Sequence, residues 1–396
     1  MNIILFDDPS IRPALLPLTY TRPVAEIRIG ILTITEKWKA RYRDQVSHAT
    51  VDYLQEKYPT IKADENLMIN GGICPDDKLI IAIDSLNMGE ALVDNELILA
   101  AKTQHVDFDG LKSFKQVTYN GDYRLVNQPW HIFKYNAEQI KADFDLITKD
   151  RVSADLTDPH TIVYGRENLF IEEGAKIKAA TIDAENGPVY IGKNAQVHPG
   201  AIINGSFALC EGSHVNMGAK IKGDSTIGPY SKVGGEVSNS VILGYSNKGH
   251  DGFIGNSVIG EWCNLGADTN TSNLKNNYAD VKIWDFAKGG FKDTGEMFCG
   301  LIMGDHSKCG INTMFNTGTV TGVSANIFGS GFPRNFIPSF AWGGANGFTT
   351  FQLRKVKEVA EKVMERRGMI YDDVEHNILT KVFEYTADNR IWEKKQ

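Results

Sequence analysis

The side chains best suited to do chemistry in this chain are gathered between Ser246 and Asn273. His250 lies in Asn247-Lys248-Gly249-His250-Asp251-Gly252, a titratable group with glycines on both sides. A neutral imidazole near pH 7 can take a proton from an amine or hydroxyl as that group attacks an electrophile. Glycine neighbours let backbone amides and a bulky substrate come close. Asn247, Asn264, Asn270 and Asn273 are neutral donors and acceptors suited to sugar hydroxyls. Asparagine and glycine also populate the tight corners of a repetitive backbone, so these residues carry two readings at this stage. A second histidine, His306 in Met303-Gly304-Asp305-His306-Ser307-Lys308, follows further along the chain.

The element that must hold these side chains announces itself by a beat of six. Ile191, Val197, Ile203, Leu209, Val215, Ile221, Ile227 and Val233 stand six apart. Four positions after each comes a small or β-branched residue (Ala195, Ala201, Ser213, Ala219, Ser225, Ser231, Val237), with Phe207 as the exception. Neither a helix nor an isolated strand has that period. A coil of three six-residue faces has it, and stacked coils bury one another's apolar positions. The Gly-, Asn-, Ser- and Thr-rich stretch from about 163 to 345 fits such a solenoid, interrupted at 184–188 and by an expected loop over 276–296.

The flanks differ. Residues 1–160 read as an α/β domain, with strands at Ile3–Phe6, Asn66–Asn70 and Glu96–Ala101. A helix or strand-helix unit is expected over Gly30–Tyr42, and helices over Asp76–Leu86 and Trp130–Ile147. Residues 161–348 are the solenoid. Residues 349–396 carry two helices, the first with the stripe Leu353, Val356, Ala360, Val363 and Met364, the second capped by Asp372 or Asp373. Net charge is −7 without a Lys/Arg-rich run, which argues against nucleic acid or an anionic membrane surface as partner. No apolar run approaches the roughly 18 residues of a spanning helix. The N-terminus lacks a signal-peptide pattern. Five cysteines without a Cys-x-x-Cys pair fit reduced thiols in a cytoplasm better than a zinc site.

The solenoid resembles the left-handed parallel β-helix of hexapeptide acyltransferases. Lys248-Gly249-His250, followed fourteen positions later by Asn264-Leu265-Gly266-Ala267, resembles the acetyltransferase half of the bacterial bifunctional N-acetylglucosamine-1-phosphate uridylyltransferase/glucosamine-1-phosphate N-acetyltransferase family. The ungapped resemblance runs from about Glu236 to Asn273. It implies His250 as general base and Asn273 as the residue that bonds it. It implies Asn264 as a sugar contact and the backbone amide of Ala267 facing the acetyl thioester. Lys220, with Lys222 as its alternative, falls near a residue that holds the sugar phosphate. Lys248, Phe253 and His306 complete the substrate-binding candidates, His306 by facing a ligand from a neighbouring copy. Three positions differ: Phe253 and Leu274 stand where the family has tyrosines, and Ser238 or Asn239 where it has a lysine.

At the other end, Leu16-Pro17-Leu18-Thr19-Tyr20-Thr21-Arg22-Pro23 resembles the Pro-Leu-Thr element of sugar-phosphate nucleotidyltransferases. The glycine loop that precedes it in that family is replaced by Asp8-Pro9-Ser10-Ile11-Arg12-Pro13. On this resemblance Arg12 and Arg22 contact nucleotide phosphates, and Asp7 or Asp8 holds Mg²⁺ if the domain is active. The resemblance as a whole implies acetyl-CoA-dependent acetylation of an amino-sugar phosphate, glucosamine 1-phosphate-like, with sugar-1-phosphate nucleotidyl transfer from UTP or dTTP as a second activity. It also implies a homotrimer. The alternative is a sugar-1-phosphate nucleotidyltransferase whose β-helix serves oligomerisation or regulation.

Overall fold

The computed structural model describes residues 2–42 and 45–395. They form two compact units: one of 1–15, 21–27 and 32–128, the other of 16–20, 28–31 and 129–396.

The smaller unit is built on a six-stranded mixed sheet. Its strand order is 46–49, 2–6, 66–70, 97–103, 90–94, 115–118. Asn2–Phe6 pairs in parallel with both neighbours, and Leu97–Thr103 runs antiparallel to both of its own. Ile4, Phe6, Met68, Val93 and Ile98 share one apolar cluster. The expected strands at the N-terminus and at Asn66–Asn70 are present. The Gly30–Tyr42 stretch yields only the helix Ile34–Tyr42. Its start is a reciprocal cap: the Glu36 amide donates to Thr33 Oγ1 (3.1 Å), and the Thr33 amide to Glu36 Oε2 (2.7 Å). Asp76 caps Asp77–Asp84 in the simpler way, accepting from the amides of Lys78 and Leu79.

The larger unit is a three-faced parallel β-helix. Successive coils stack short strands in parallel into three sheets of six, nine and ten strands, the last including the antiparallel end strand Gly347–Thr350. On the first face Ile182, Ile203, Ile221, Val237 and Ile254 are buried, on the second Ile191, Leu209, Ile227, Ile242 and Ile259, and on the third Val197, Val215, Val233 and Leu265. The small residues four positions on are equally buried at the corners, as is Phe207. At every corner from the second face to the third the turning residue has positive φ, including Tyr230 (54°), Tyr245 (52°), Trp262 (61°) and His306 (60°). Side chains larger than Asn rarely take that conformation. Here the rings compensate by stacking coil on coil: Tyr230–Tyr245 at 5.4 Å, Tyr245–Trp262 at 4.3 Å, Trp262–His306 at 6.3 Å, all within 17° of parallel.

Two expectations need correction. The helix over 130–147 is two helices, Pro129–Lys134 and Asn136–Thr148. They break at Tyr135, beside buried Asn136, whose Oδ1 accepts the amide of Gly30 at 2.8 Å. The stretch 276–296 is no plain loop, since it holds the antiparallel hairpin Lys282–Asp285/Gly290–Asp293. Trp284 of that hairpin stacks on Phe336 of the coil at 4.2 Å. The C-terminal helices are Leu353–Glu365 and Asp373–Tyr385, and Asp372 caps the second through the Glu375 amide (2.9 Å). Among the described residues no helix is long and apolar enough to cross a membrane.

Because the coil core around Ile227 is closely packed with Leu209, Ile242 and other apolar residues, a single deletion there leaves a cavity. Ile227→Ala should lower the unfolding free energy of the β-helix unit by roughly 2–5 kcal/mol, read from its urea midpoint.

Candidate active site

Corner length opens the site. From third face to first, Val197 to Ile203, Val215 to Ile221, Lys248 to Ile254 and Leu265 to Thr271 are each six positions, whereas Val233 to Val237 is four. The short corner is Gly234-Gly235. A Cβ on Gly234 would lie 2.5 Å from the Gly249 carbonyl oxygen, and one on Gly235, at φ +67°, would lie 2.6 Å from that of Gly252. Only glycine lets this corner pass so close to the next coil. Beside it is a cavity of about 520 Å³ bounded by Asn216, Gly234, His250, Asp251, Ala267 and Asp268, with His250 exposed.

A second cavity of about 690 Å³ shares His250 and Ala267 and extends along the third face past Lys232, Asn264, Trp262 and Arg367. The outward positions of this face are in register: His214, Lys232, Asn247, Asn264, Lys308. Arg367, just past the helix Leu353–Glu365, donates to the Tyr230 carbonyl and to Asn247 Oδ1 (3.0 Å), and Asn247 in turn reaches Asn264 Oδ1 at 3.5 Å. This wall is electropositive. The His214 imidazole is held below its ordinary pKa by burial first, then by the charges of Lys232, His198 and Arg367. Such a surface suits a phosphate-bearing ligand.

The expected residues divide between faces. His250, Asn264 and Ala267 line one continuous pair of cavities. Lys220 and Phe253 point outward on the first face, in a column with Glu236. Lys222 pairs there with Glu236 at 2.7 Å. Asn273 does not meet His250 within the chain. It lies past the far edge of the first face, where its Nδ2 donates to Asn256 Oδ1 at 2.8 Å. Lys248 does not reach the cavity. It occupies an inward position, paired in register with Val233, and is 1% exposed. His306 does not line either cavity: it is 8% exposed, stacks on Trp262 in the aromatic column, and shares a small void with Val356 and Ala360 of the C-terminal helix.

In the smaller unit Asp7, Asp8 and Arg12 are taken up by bonds within the unit. Asp7 Oδ2 accepts from Arg12 (2.8 Å) and Thr50 (2.5 Å), and its Oδ1 from the Val24 amide (2.8 Å). Arg12 also donates to the Arg22 carbonyl and to Tyr53. Asp8 Oδ1 accepts from the amide and hydroxyl of Ser10, and Arg22 is buried. Mg²⁺ favours a near-octahedral set of oxygens, several of them waters. Asp7 would have to give up its arginine to join one, and no cluster of three or more His, Cys, Asp or Glu ligands occurs among the described residues. As it stands, Asp7 is committed to Arg12, Thr50 and the Val24 amide rather than to a metal. Nor do the thiols offer a nucleophile, since all five cysteines are buried and burial pushes Cys263 and Cys299 up to about 12.

Sequence reasoning missed Lys232, Asn216, Arg367 and the Gly234-Gly235 corner. The last had a signal, because the six-residue beat stops there.

Residues 3–152 match the family model described as sugar nucleotidyl transferase. Over 267 residues the chain is 28% identical to a bifunctional sugar-1-phosphate nucleotidylyltransferase/acetyltransferase of Sulfurisphaera tokodaii, covering 66% of this chain and 57% of that protein. It is 28% identical over 272 residues to the bifunctional protein GlmU of Methanocaldococcus jannaschii, covering 68% and 57%. The chain thus spans a little over half the length of these relatives. Among solved structures, the polySia specific acetyltransferase NeuO aligns with 49% of this chain and 83% of its own at 14% identity and a TM-score of 0.26, a likeness too slight to argue from.

Burial lowers the Lys248 ammonium to about 8 from 10.5, against the opposing pull of Asp251 and Asp268. Between those values the unfolded chain binds more protons than the folded one, so stability rises with pH across that window. Relative to Lys248→Met, the wild type should therefore gain thermal stability as pH climbs from about 8 to 10.5, and show no such relative gain between pH 6 and 7.5.

Proposed function

We propose that the β-helix unit transfers an acetyl group from acetyl-CoA to the amine of an amino-sugar phosphate of the glucosamine 1-phosphate kind. The observation that carries the reading is His250 exposed on the rim of a glycine-cut cleft, continuous with an electropositive cavity that also holds Asn264 and Ala267. The relatives that join nucleotidylyl and acetyl transfer in one protein support it.

In this reading the imidazole of His250 accepts the amine proton as nitrogen attacks the thioester carbonyl. The amide of Ala267 faces the oxygen on which negative charge develops, a kind of contact worth roughly 3–4 kcal/mol in the transition state. Collapse of the tetrahedral intermediate expels the CoA thiolate, which is protonated on leaving. Asn264, steadied through Asn247 by Arg367, takes a sugar hydroxyl. Lys232 and Arg367 meet the phosphates of the donor. Holding both reactants in one cleft supplies much of the remaining rate enhancement.

The division of residues between two faces supports a multimeric enzyme. Lys220 and Phe253 on the first face would face the same substrate only if a second copy presents that face to the third face of the first. We propose a homotrimer on this ground, with the acceptor between copies. For the smaller unit, the match to sugar nucleotidyl transferases supports a nucleotide-sugar context. With Asp7 held by Arg12, no metal-assisted step is assigned to it.

Incubation with acetyl-CoA and glucosamine 1-phosphate should release free thiol, and His250→Ala should slow that release on the order of 10²–10⁴-fold with little change in KM. Thiol release at the wild-type rate in the variant overturns the role of His250. Sedimentation should give three times the chain mass, and a monomer with full activity would refute the shared site.

A further inference from the structure

We infer that Lys248 is a positioning residue: an ammonium sealed inside the β-helix that braces the His250 corner in place of a missing ladder hydrogen bond. The kinetic part of this inference rests on the acyl-transfer reading; the geometric part does not.

The ladder shows what is missing. Two residues past the inward position of the third face, a coil's carbonyl ordinarily accepts the amide three past that position in the next coil. The Gly200 amide donates to Ala179, Gly218 to Pro199, and Asn312 to Ala267. By that rule the Asp268 amide belongs to the His250 carbonyl. It donates instead to Asp251, at 3.0 Å. The ladder has slipped by one residue at the one corner that carries an exposed histidine beside the cleft. The His250 carbonyl is taken up by Lys248 Nζ at 2.5 Å, and the same ammonium donates to the Asp251 carbonyl at 2.8 Å.

The position of Lys248 makes this an unusual choice. The equivalent inward residues of other coils are Ile177, Val197, Val215, Val233, Leu265, Cys309 and Ile327. A charge in such a column costs free energy that a methyl-bearing side chain would not. Two carbonyls of the slipped corner are what it gains. Gly249 is held in turn from outside, its carbonyl accepting Asn216 Nδ2 at 2.7 Å. Carbonyls 249, 250 and 251 are thus fixed in succession, and the imidazole on the middle residue has its backbone direction set from both sides. A base displaced by about 1 Å can lose on the order of a hundredfold in rate.

The test is Lys248→Met, which keeps the stem and removes the donors, with Lys248→Gln, whose amide can still reach one carbonyl. The first readout is the His250 ring resonance in protein labelled with ¹³C-histidine, identified by its loss in His250→Ala. It is expected to shift or broaden in Lys248→Met and to return part of the way in Lys248→Gln. The second is acetyl transfer: kcat is expected to fall about ten- to a hundredfold in Lys248→Met with both KM values within about twofold. An unchanged resonance and unchanged kcat in a folded Lys248→Met overturn the inference. So does loss of the thermal unfolding transition in both variants, which would assign Lys248 to folding alone. Should the wild type transfer no acetyl group, the acyl-transfer reading fails by itself, and the resonance still decides the role of Lys248.

Discussion

The larger unit depends on a single requirement: every coil must bond its backbone to the coil before and the coil after while turning three corners in about eighteen residues. Side chains are subordinate to that ladder. Inward positions must be apolar and of similar size, as Ile203, Ile221 and Leu209 are, because the coils fix the width of the core. Corner positions must be small or tolerate a left-handed backbone, and the ring column from Tyr230 to His306 meets the second demand with residues ill suited to it. Where the ladder is intact the unit is a scaffold. The candidate chemistry collects where it is altered.

Two alterations adjoin. The coil at Val233 loses two residues from its corner, and the coil at Lys248 slips its hydrogen bonding by one. The first makes room beside His250, and the second turns the backbone on which His250 sits. The groups that the ladder positions normally, Asn264 and Ala267, lie on the following coil and form the opposite wall. The electropositive face then continues from that wall toward Arg367, so that adjoining cavities bring together an exposed imidazole, neutral hydrogen-bonding groups and positive charge.

Much of this was legible in the sequence because it is periodic. The six-residue beat gives the coils, the inward residues and the cluster around His250. Asp372, one of the two caps expected there, gives the start of the last long helix. What escaped did so for physical reasons. Lysine is almost never buried, so Lys248 read as a substrate-binding residue. Spacing along the chain does not say which of three faces a residue occupies, so Asn273 was grouped with a histidine that lies across a face from it. His306 looked chemical by type, yet its place in the aromatic column under the C-terminal helix depends on residues fifty positions away. Arg12 and Asp7 each suit phosphate or metal alone, and only the folded unit shows that they satisfy one another.

The Gly234-Gly235 corner has a wider consequence. Most enzymes gain a binding site by adding a loop to a scaffold. Here the cleft is subtractive, carved by leaving residues out of a strictly repeating path. Coils are stacked about 4.8 Å apart, so such an opening comes in whole steps of coil height and corner length, not in the graded sizes that side-chain exchange provides. On the proposed acyl-transfer reading, the room left for the acceptor is set by an integer, the number of residues between Val233 and Val237. A lineage of such proteins could change the molecule it accepts by editing that count while leaving every side chain of the catalytic wall untouched.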